Sequence, residues 1–350
     1  MKIGDRVIGP GYPTYIIAEM SANHAGSLEN AKELIRVAKE VGADCVKIQT
    51  YTPDTITMDC DKEYFHIGTG TWEGENLYQL YQKAYTPWEW HKELKEEAEK
   101  VGIDFFSSPF DNTAVDLLEE IGVGFYKVAS FELIDIPLIK YIASKGKPII
   151  MSTGMATLGE IEAAVNAIRE CGNDQVALLR CASAYPAITD DMNLKTMQNM
   201  AEIFKVPVGL SDHSMGDVGA ITAVALGANI IEKHFCLDRS IDNPDASFSM
   251  NPEEFAQMVR NIRQAEVAIG QVKYGPAEQE KHNLAFRRSI FCVEDIKKGE
   301  KLTPKNVRVI RPGQGLEPKY YDEVLGMVAT RDIERGTPLR FGMLKEDENE

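Results

Sequence analysis

The sequence predicts an α/β protein: a (β/α)₈ barrel followed by a small β-rich domain. Three observations lead there. Before residue 240 the chain carries eight short apolar or β-branched runs bounded by turn residues. Helical patterns separate most of these runs. From Phe286 on, the pattern changes to short strand-like runs punctuated by glycine and proline. A length of 350 residues is too great for one small core and suits one large domain, with or without a smaller companion. An open doubly wound sheet is the competing arrangement, but no G-x-G-x-x-G follows the first run.

The eight runs are "YIIAEMS" (15–21), "CVKIQTY" (45–51), "FFSSP" (105–109), "FYKVAS" (125–130), "PIIMSTG" (148–154), "VALLRCAS" (176–183), "PVGLSD" (207–212) and "NIIEKHF" (229–235). Amphipathic stretches such as "SLENAKELIRVAKEVGA", "NTAVDLLEEIG" and "LGEIEAAVNAIRECG" lie between them, as a barrel of alternating strands and helices requires. Residues 52–87 form a longer excursion from the end of the second strand and carry Tyr64, Phe65, Trp72, Tyr78, Tyr81 and Tyr85. It is expected either to cover the barrel or to shape a substrate pocket. The barrel domain is placed at 1–270, a polar linker at 271–285, the β-rich domain at 286–345 and an acidic tail at 346–350. Within the β-rich domain "DIKKGEKL" (295–302) and "DIERGTPL" (332–339) repeat, which predicts two turns of similar shape.

Composition narrows the function. With 38 basic against 54 acidic residues the formal charge is −16, which disfavours nucleic acid and anionic membranes as partners. No run of 18 apolar residues and no signal-like start occurs, so the protein is expected to be cytoplasmic. Six cysteines lie far apart without C-x-x-C spacing and are read as free thiols.

In a barrel, side chains two apart in a strand point the same way, and those at strand C-termini share one site. That rule brings together Glu19, with Asn23 and His24 just beyond; Lys47 and Gln49; Ser107 or Ser108; Lys127 and Ser130; Ser152; Ser183 with Tyr185; Ser211 and His213; Glu232 and His234. Lys47 and Lys127, with hydroxyls from Ser108, Ser130, Ser152 and Ser211, have the donors of a phosphate or carboxylate site. The alternative is that each lysine pairs with an inward carboxylate, Glu19 or Glu232. His213 and His234 come from adjacent strands and can converge on one divalent ion, leaving open positions for Lewis-acid chemistry. Cys236 shares the parity of His234 but is expected to lie past the strand as an ordinary thiol.

The motifs "IIAEMSANHAGSLENA", "GADCVKIQTYTPDTIT", "FFSSPFD", "YKVASFE", "STGMATL", "VGLSDHS" and "IIEKHFCLDRS" together resemble the sialic acid synthase family, which condenses phosphoenolpyruvate with an N-acetylated sugar to make a nine-carbon ulosonic acid. The C-terminal "AFRRSIFCVEDIKKGEKLTPKNVRVIRPG" is similar to the antifreeze-like SAF domain, a β-clip, that closes these enzymes. The segments "YTPDTIT", "AYTPWEWH", "ASFELIDIPLI" and "NPDASFSMNPEEF" look most like the pseudaminate branch. Two stretches on the sugar side, "RCASAYPAI" and "LDRSIDNPD", depart from the usual family pattern.

The resemblance implies the following roles. Glu19 is the catalytic carboxylate. Lys47, Ser108, Lys127, Ser130, Ser152 and Ser211 surround phosphoenolpyruvate. Gln49, Ser183, Tyr185 and Asp245 lie along the sugar. His213 and His234 hold a divalent ion, Mn²⁺ foremost, with Mg²⁺ or Co²⁺ as alternatives. Phe286 and Arg311 reach across a domain-swapped homodimer into the partner's site. The branch implies 2,4-diacetamido-2,4,6-trideoxy-β-L-altropyranose as the sugar and a product destined for cell-surface glycans such as glycosylated flagellin. N-acetylneuraminate and legionaminate synthesis, or a metal-dependent aldolase or hydrolase acting on a phosphorylated sugar, are the competing enzyme readings. Ice binding would need a flat repetitive threonine surface, and Thr303, Thr330 and Thr337 stand apart among charges.

Overall fold

The computed structural model describes residues 1–347, so Glu348, Asn349 and Glu350 of the expected acidic tail lie outside the described residues. The chain divides into two compact units, Met1–Gly270 and Gln271–Glu350.

The first unit is a closed barrel of eight parallel strands. They are β1 (Tyr15–Glu19), β2 (Cys45–Thr50), β3 (Asp104–Pro109), β4 (Tyr126–Val128), β5 (Ile149–Ser152), β6 (Val176–Cys181), β7 (Val208–Asp212) and β8 (Ile230–His234). Neighbours pair in chain order, and β8 closes on β1 with Ile230 opposite Tyr15 and His234 opposite Glu19. One main helix follows each strand: α1 (Leu28–Glu40), α2 (His91–Val101), α3 (Asn112–Glu120), α4 (Ile136–Ala143), α5 (Leu158–Glu170), α6 (Lys195–Phe204), α7 (Val218–Ala225) and α8 (Pro252–Ile269). Several are started by local chemistry that the sequence displays. Asp111 accepts from the backbone N–H groups of Thr113 and Ala114. Thr157 with Glu160, and Asn251 with Glu254, form reciprocal capping boxes.

Strand parity separates two apolar layers. Leu34, Val46, Val128, Met151, Leu178, Val208, Leu210 and Ile231 pack between strands and helices. Tyr15, Ile17, Cys45, Phe106, Phe125, Ile150, Ala177, Leu179 and Ile230 fill the barrel interior, together with Ile3 and Ile8 from the N-terminal segment. Continuing each inward row toward the strand C-termini, the next side chains are Glu19, Lys47, Ser108, Lys127, Ser152, Cys181, Ser211 and Glu232. The barrel is therefore greasy below and ionic above. Gly209 occupies an inward position on β7 where a Cβ would lie 2.2 Å from the Ile230 carbonyl oxygen, so the β7–β8 approach requires glycine there. A hollow of about 590 Å³ lies against Tyr12, Thr14 and Glu266, and none of the predicted site residues lines it.

The 52–87 excursion holds two short helices, Pro53–Ile56 and Leu77–Ala84, and a bridge between His66 and Asn76. Its aromatic residues are not uniformly a cover: Tyr64 is 88% exposed, whereas Phe65, Trp72, Tyr78, Tyr81 and Tyr85 are half-buried.

In the second unit the segment expected to be a linker contains a 3₁₀ helix, Glu278–Phe286, so the β pattern begins three residues later than the sequence suggested. Strand β9 (Ser289–Cys292) pairs antiparallel with β10 (Val307–Ile310), and β11 (Val328–Ala329) with β12 (Leu344–Lys345). The repeat has a structural reason. Ile296 and Ile333 exchange both backbone hydrogen bonds at 2.8 Å, Asp332 accepts from the Lys298 N–H, and Asp295 accepts from the Arg335 N–H. Each copy thus caps the other's turn. Gly299 and Gly336 take φ of 82° and 86° at the repeated turn, a conformation that favours glycine. Among the described residues no helix is long and apolar enough to cross a membrane.

Candidate active site

The inward rows converge on a buried ionic cluster at the C-terminal ends of the strands. Lys47 Nζ lies 2.8 Å from Glu19 Oε2 and 3.4 Å from Glu232 Oε1. Lys127 Nζ lies 3.5 Å from the same Glu232 oxygen and donates to Ser152 Oγ at 2.7 Å. Ser108 is 3.5 Å from Lys47 Nζ, and Ser211 donates to Glu232 at 3.3 Å. Each lysine therefore has an inward carboxylate, as the pairing alternative expected, and Ser108, Ser152 and Ser211 stand in the same cluster. Gln49 donates to Glu19 Oε1 and to Ser21 Oγ, both at 3.0 Å.

Burial and charge set the protonation states. Burial raises the Glu19 pKa, and Glu232 adds to that while Lys47 opposes it. Burial also works against ionised Glu232, but Lys127 and Lys47 outweigh it and hold that carboxyl below its usual value. For Lys127 burial prevails and lowers the pKa, with Glu232 opposing. Lys47 also pays for burial, yet Glu19 and Glu232 together raise it. Lys47 and Glu232 are thus held toward their charged forms by their neighbours, whereas burial moves Glu19 and Lys127 toward their neutral forms. An incoming dianion would favour the charged form of Lys127.

Ser130 and Ser183 meet at Gly154, where an added Cβ would lie 2.6 Å from Ser130 Oγ and 2.4 Å from Ser183 Oγ. The glycine of "STG" therefore lets hydroxyls that follow two different strands, β4 and β6, come together.

His213 and His234 stand side by side, ring centroids 5.3 Å apart. His213 Nδ1 faces the Ala182 carbonyl at 3.0 Å, which favours the tautomer with Nε2 free as an acceptor. His234 Nδ1 is buried without a hydrogen-bond partner. Burial and His213 hold His234 toward its neutral form, whereas for His213 burial is outweighed by Cys181 and the Ala182 carbonyl, which raise its pKa. The two rings so placed fit a divalent ion completed by water or substrate oxygens. Among the described residues no group of three or more His, Cys, Asp or Glu is gathered for a metal. Cys236 lies two residues past the end of β8, and burial pushes its thiol up to about 11.

Beyond the histidines lies an aromatic wall. The Tyr185 ring is 4.3 Å from His213 and 5.3 Å from Phe248, and Trp72 is 5.4 Å from Tyr185. Trp72 Nε1 donates to the Pro244 carbonyl at 3.2 Å, and the Thr71 hydroxyl donates to the Tyr185 carbonyl. These bonds draw the excursion over the mouth. Asp245 accepts from the Ala22 N–H at 3.0 Å; burial raises its pKa, with Ser21 and Ala22 opposing. It anchors the turn after β1 as well as lying near the mouth. Phe286 and Arg311 belong to the second unit, where both are exposed.

Two groups escaped the strand-end rule. Glu132 sits in the 3₁₀ turn after β4, largely buried with Oε2 unpartnered, and burial pushes its pKa up to about 7. Cys181 lies 3.7 Å from His213 Nδ1. Glu232 was offered as an inward partner for either lysine, and the structure sets its one oxygen against both. Only the Cys181 parity, two residues before Ser183, offered a signal in the sequence.

A closed parallel barrel with a buried lysine–carboxylate cluster and paired imidazoles at its strand C-termini defines a (β/α)₈ enzyme scaffold. The chain belongs to the NeuB family, whose profile matches residues 34–274, and it carries a SAF domain at residues 287–345. It is 48% identical over 328 residues to the pseudaminic acid synthase of Campylobacter jejuni subsp. jejuni serotype O:2, covering 94% of this chain and 96% of that protein. The N,N'-diacetyllegionaminic acid synthase of the same organism is 40% identical over 331 residues, covering 93% and 99%. Among solved structures, the N-acetylneuraminic acid synthetase of Leptospira borgpetersenii serovar Hardjo-bovis in complex with citrate matches with a TM-score of 0.72 at 33% identity, covering 81% of this chain and 94% of that one.

Proposed function

We propose that this chain condenses phosphoenolpyruvate with 2,4-diacetamido-2,4,6-trideoxy-β-L-altropyranose and water to give pseudaminic acid and phosphate. The observation that carries the reaction is the buried Lys47–Glu232–Lys127 cluster, ringed by Ser108, Ser152 and Ser211 and set beside two imidazoles. The choice of sugar is supported by the higher identity to the pseudaminic acid synthase than to the diacetyllegionaminic acid synthase.

In this reading Lys47 and Lys127 hold the phosphate and carboxylate of phosphoenolpyruvate, with hydroxyls from Ser108, Ser130, Ser152 and Ser211. C3 of phosphoenolpyruvate adds to the C1 aldehyde of the open-chain sugar, water adds at C2, and phosphate leaves by C–O cleavage. Glu19, raised by burial, handles a proton or orients the water from the edge of the cluster. Glu232 stays ionised and keeps both ammonium groups aimed inward. A divalent ion held by His213 and His234, manganese in this reading, would supply Lewis-acid polarisation of the aldehyde. Gln49, Ser183, Tyr185 and Asp245 line the sugar side. The exposed apolar side chains of Phe131, Ile134, Met155, Ile188 and Met215, on loops after β4 to β7, support a cap from a partner's SAF domain in a homodimer, with Phe286 and Arg311 as its reaching residues.

The test is a sugar panel with phosphoenolpyruvate: the altrose derivative, N-acetylmannosamine and the legionaminate precursor. The altrose derivative should give the highest kcat/KM; a higher value for either other sugar would reassign the substrate.

A further inference from the structure

Each imidazole of the pair is preceded by a charged residue of opposite parity: Asp212 before His213 and Lys233 before His234. Their Cα positions are direct partners across β7 and β8. Both side chains face away from the barrel interior, and they are 0% and 1% exposed. Lys233 Nζ donates to Asp212 Oδ2 at 2.8 Å, to the Gly216 carbonyl at 2.9 Å and to the Ser214 carbonyl. The other carboxylate oxygen accepts from the Ser214 N–H at 2.9 Å and from Ser214 Oγ at 2.7 Å. All three Lys233 protons and both Asp212 oxygens are thus used.

This cross-link clamps the turn 214–216, which follows His213 directly. The His213 carbonyl itself accepts from the Ala187 N–H at 3.0 Å, so the residue is held from both sides. Strand pairing alone does not call for charge here. Two residues earlier on the same faces of the same strands, Leu210 and Ile231 occupy the neighbouring outward positions with apolar side chains. A buried ion pair recovers little of its desolvation cost as stability, and its best-attested use is to fix position.

We propose that Asp212 and Lys233 are positioning residues that fix the separation and aim of His213 and His234 for one divalent ion. The inference rests on the reading of the two histidines as ligands, and the experiment separates the two. Mn²⁺ binding to the full-length chain is titrated in wild type, His213→Ala, and the double variant Asp212→Leu/Lys233→Met, which removes both charges and leaves neither unpaired. With the fold intact by circular dichroism, the double variant should bind Mn²⁺ about 10- to 100-fold more weakly, as loss of a ligand's supporting contacts does elsewhere. Phosphoenolpyruvate binding measured without metal should be unchanged. A purely structural pair would lower Tm and leave Mn²⁺ affinity at the wild-type value, and that result would overturn the proposal. If His213→Ala binds Mn²⁺ as wild type does, the ligand reading falls and takes this inference with it. If His213→Ala loses the ion while the double variant keeps it, only the positioning role falls. Should the double variant not fold, Ser214→Ala, which removes only the hydroxyl bond to Asp212, should weaken Mn²⁺ binding a few-fold, and unchanged affinity there is equally contrary.

Discussion

Replacing Lys47 by methionine removes the cation that lies 2.8 Å from Glu19 and 3.4 Å from Glu232 while keeping most of the buried stem. Removing one partner of a buried ion pair costs about 3–5 kcal/mol when the other charge stays ionised. Here the variant has an escape, because burial already raises Glu19 and it can take up a proton. A carboxyl whose folded pKa lies above its unfolded value stabilises fully below the unfolded pKa, and that stability is lost as pH rises through the folded pKa. The deficit of Lys47→Met should therefore be small at acid pH, where Glu19 is protonated, and approach about 3–5 kcal/mol as pH rises through the raised Glu19 pKa. For a unit of this size the larger deficit corresponds to a fall in Tm of roughly 6–12 °C. Trp72, Trp88 and Trp90, the chain's three tryptophans, all lie in the barrel unit, so fluorescence-detected unfolding across pH reports on that unit. A deficit independent of pH, or none at all, would refute the account of the cluster.

Other outcomes follow from the same geometry. His24 and His91 are held near about 4 by burial, against an ordinary 6.5, so the unfolded chain binds protons that the folded one does not. Each should cost about 3 kcal/mol as pH falls from about 6.5 to below 4, and His24→Gln or His91→Gln should flatten that loss in denaturant titrations. Gly154→Ala puts a methyl 2.4 Å from Ser183 Oγ; steady-state assays should find kcat/KM down about 100-fold with Tm little changed. Unaltered kinetics would remove Ser130 and Ser183 from the site. Mixing Arg311→Ala with Lys47→Met and allowing subunits to exchange should restore about a quarter of wild-type activity if caps are swapped within a symmetric dimer; no recovery would place the cap in cis.

The barrel and the inward side chains were legible because strand parity is local. Tyr15, Ile17 and Glu19 lie on one face whatever they touch, and the same rule gave Lys47, Lys127, Ser152 and Ser211. What the rule leaves out is distance across the barrel. It put Glu232 inside but could not place its carboxylate between two lysines from β2 and β4. Glu132 was illegible for another reason: it follows its strand in a 3₁₀ turn, where the period of two no longer applies. Trp72 reaches Tyr185 only because the excursion doubles back, a contact 113 residues apart in sequence. Tyr64, in the same stretch and of similar chemistry, points to solvent, so aromatic content alone could not say which ring lines the mouth. The repeated "DI-x-[KR]-G" turns were visible in the sequence, whereas the exchange of caps through Asp295 and Asp332 required the fold.

The most direct test of the condensation is to supply the metal-loaded protein with phosphoenolpyruvate carrying ¹⁸O in its bridging oxygen, with and without the altrose derivative. The account predicts one phosphate released for each nine-carbon acid formed, only when the sugar is present, with the label carried away on the phosphate. Phosphate release without the sugar, or label retained at C2 of the product, would contradict it.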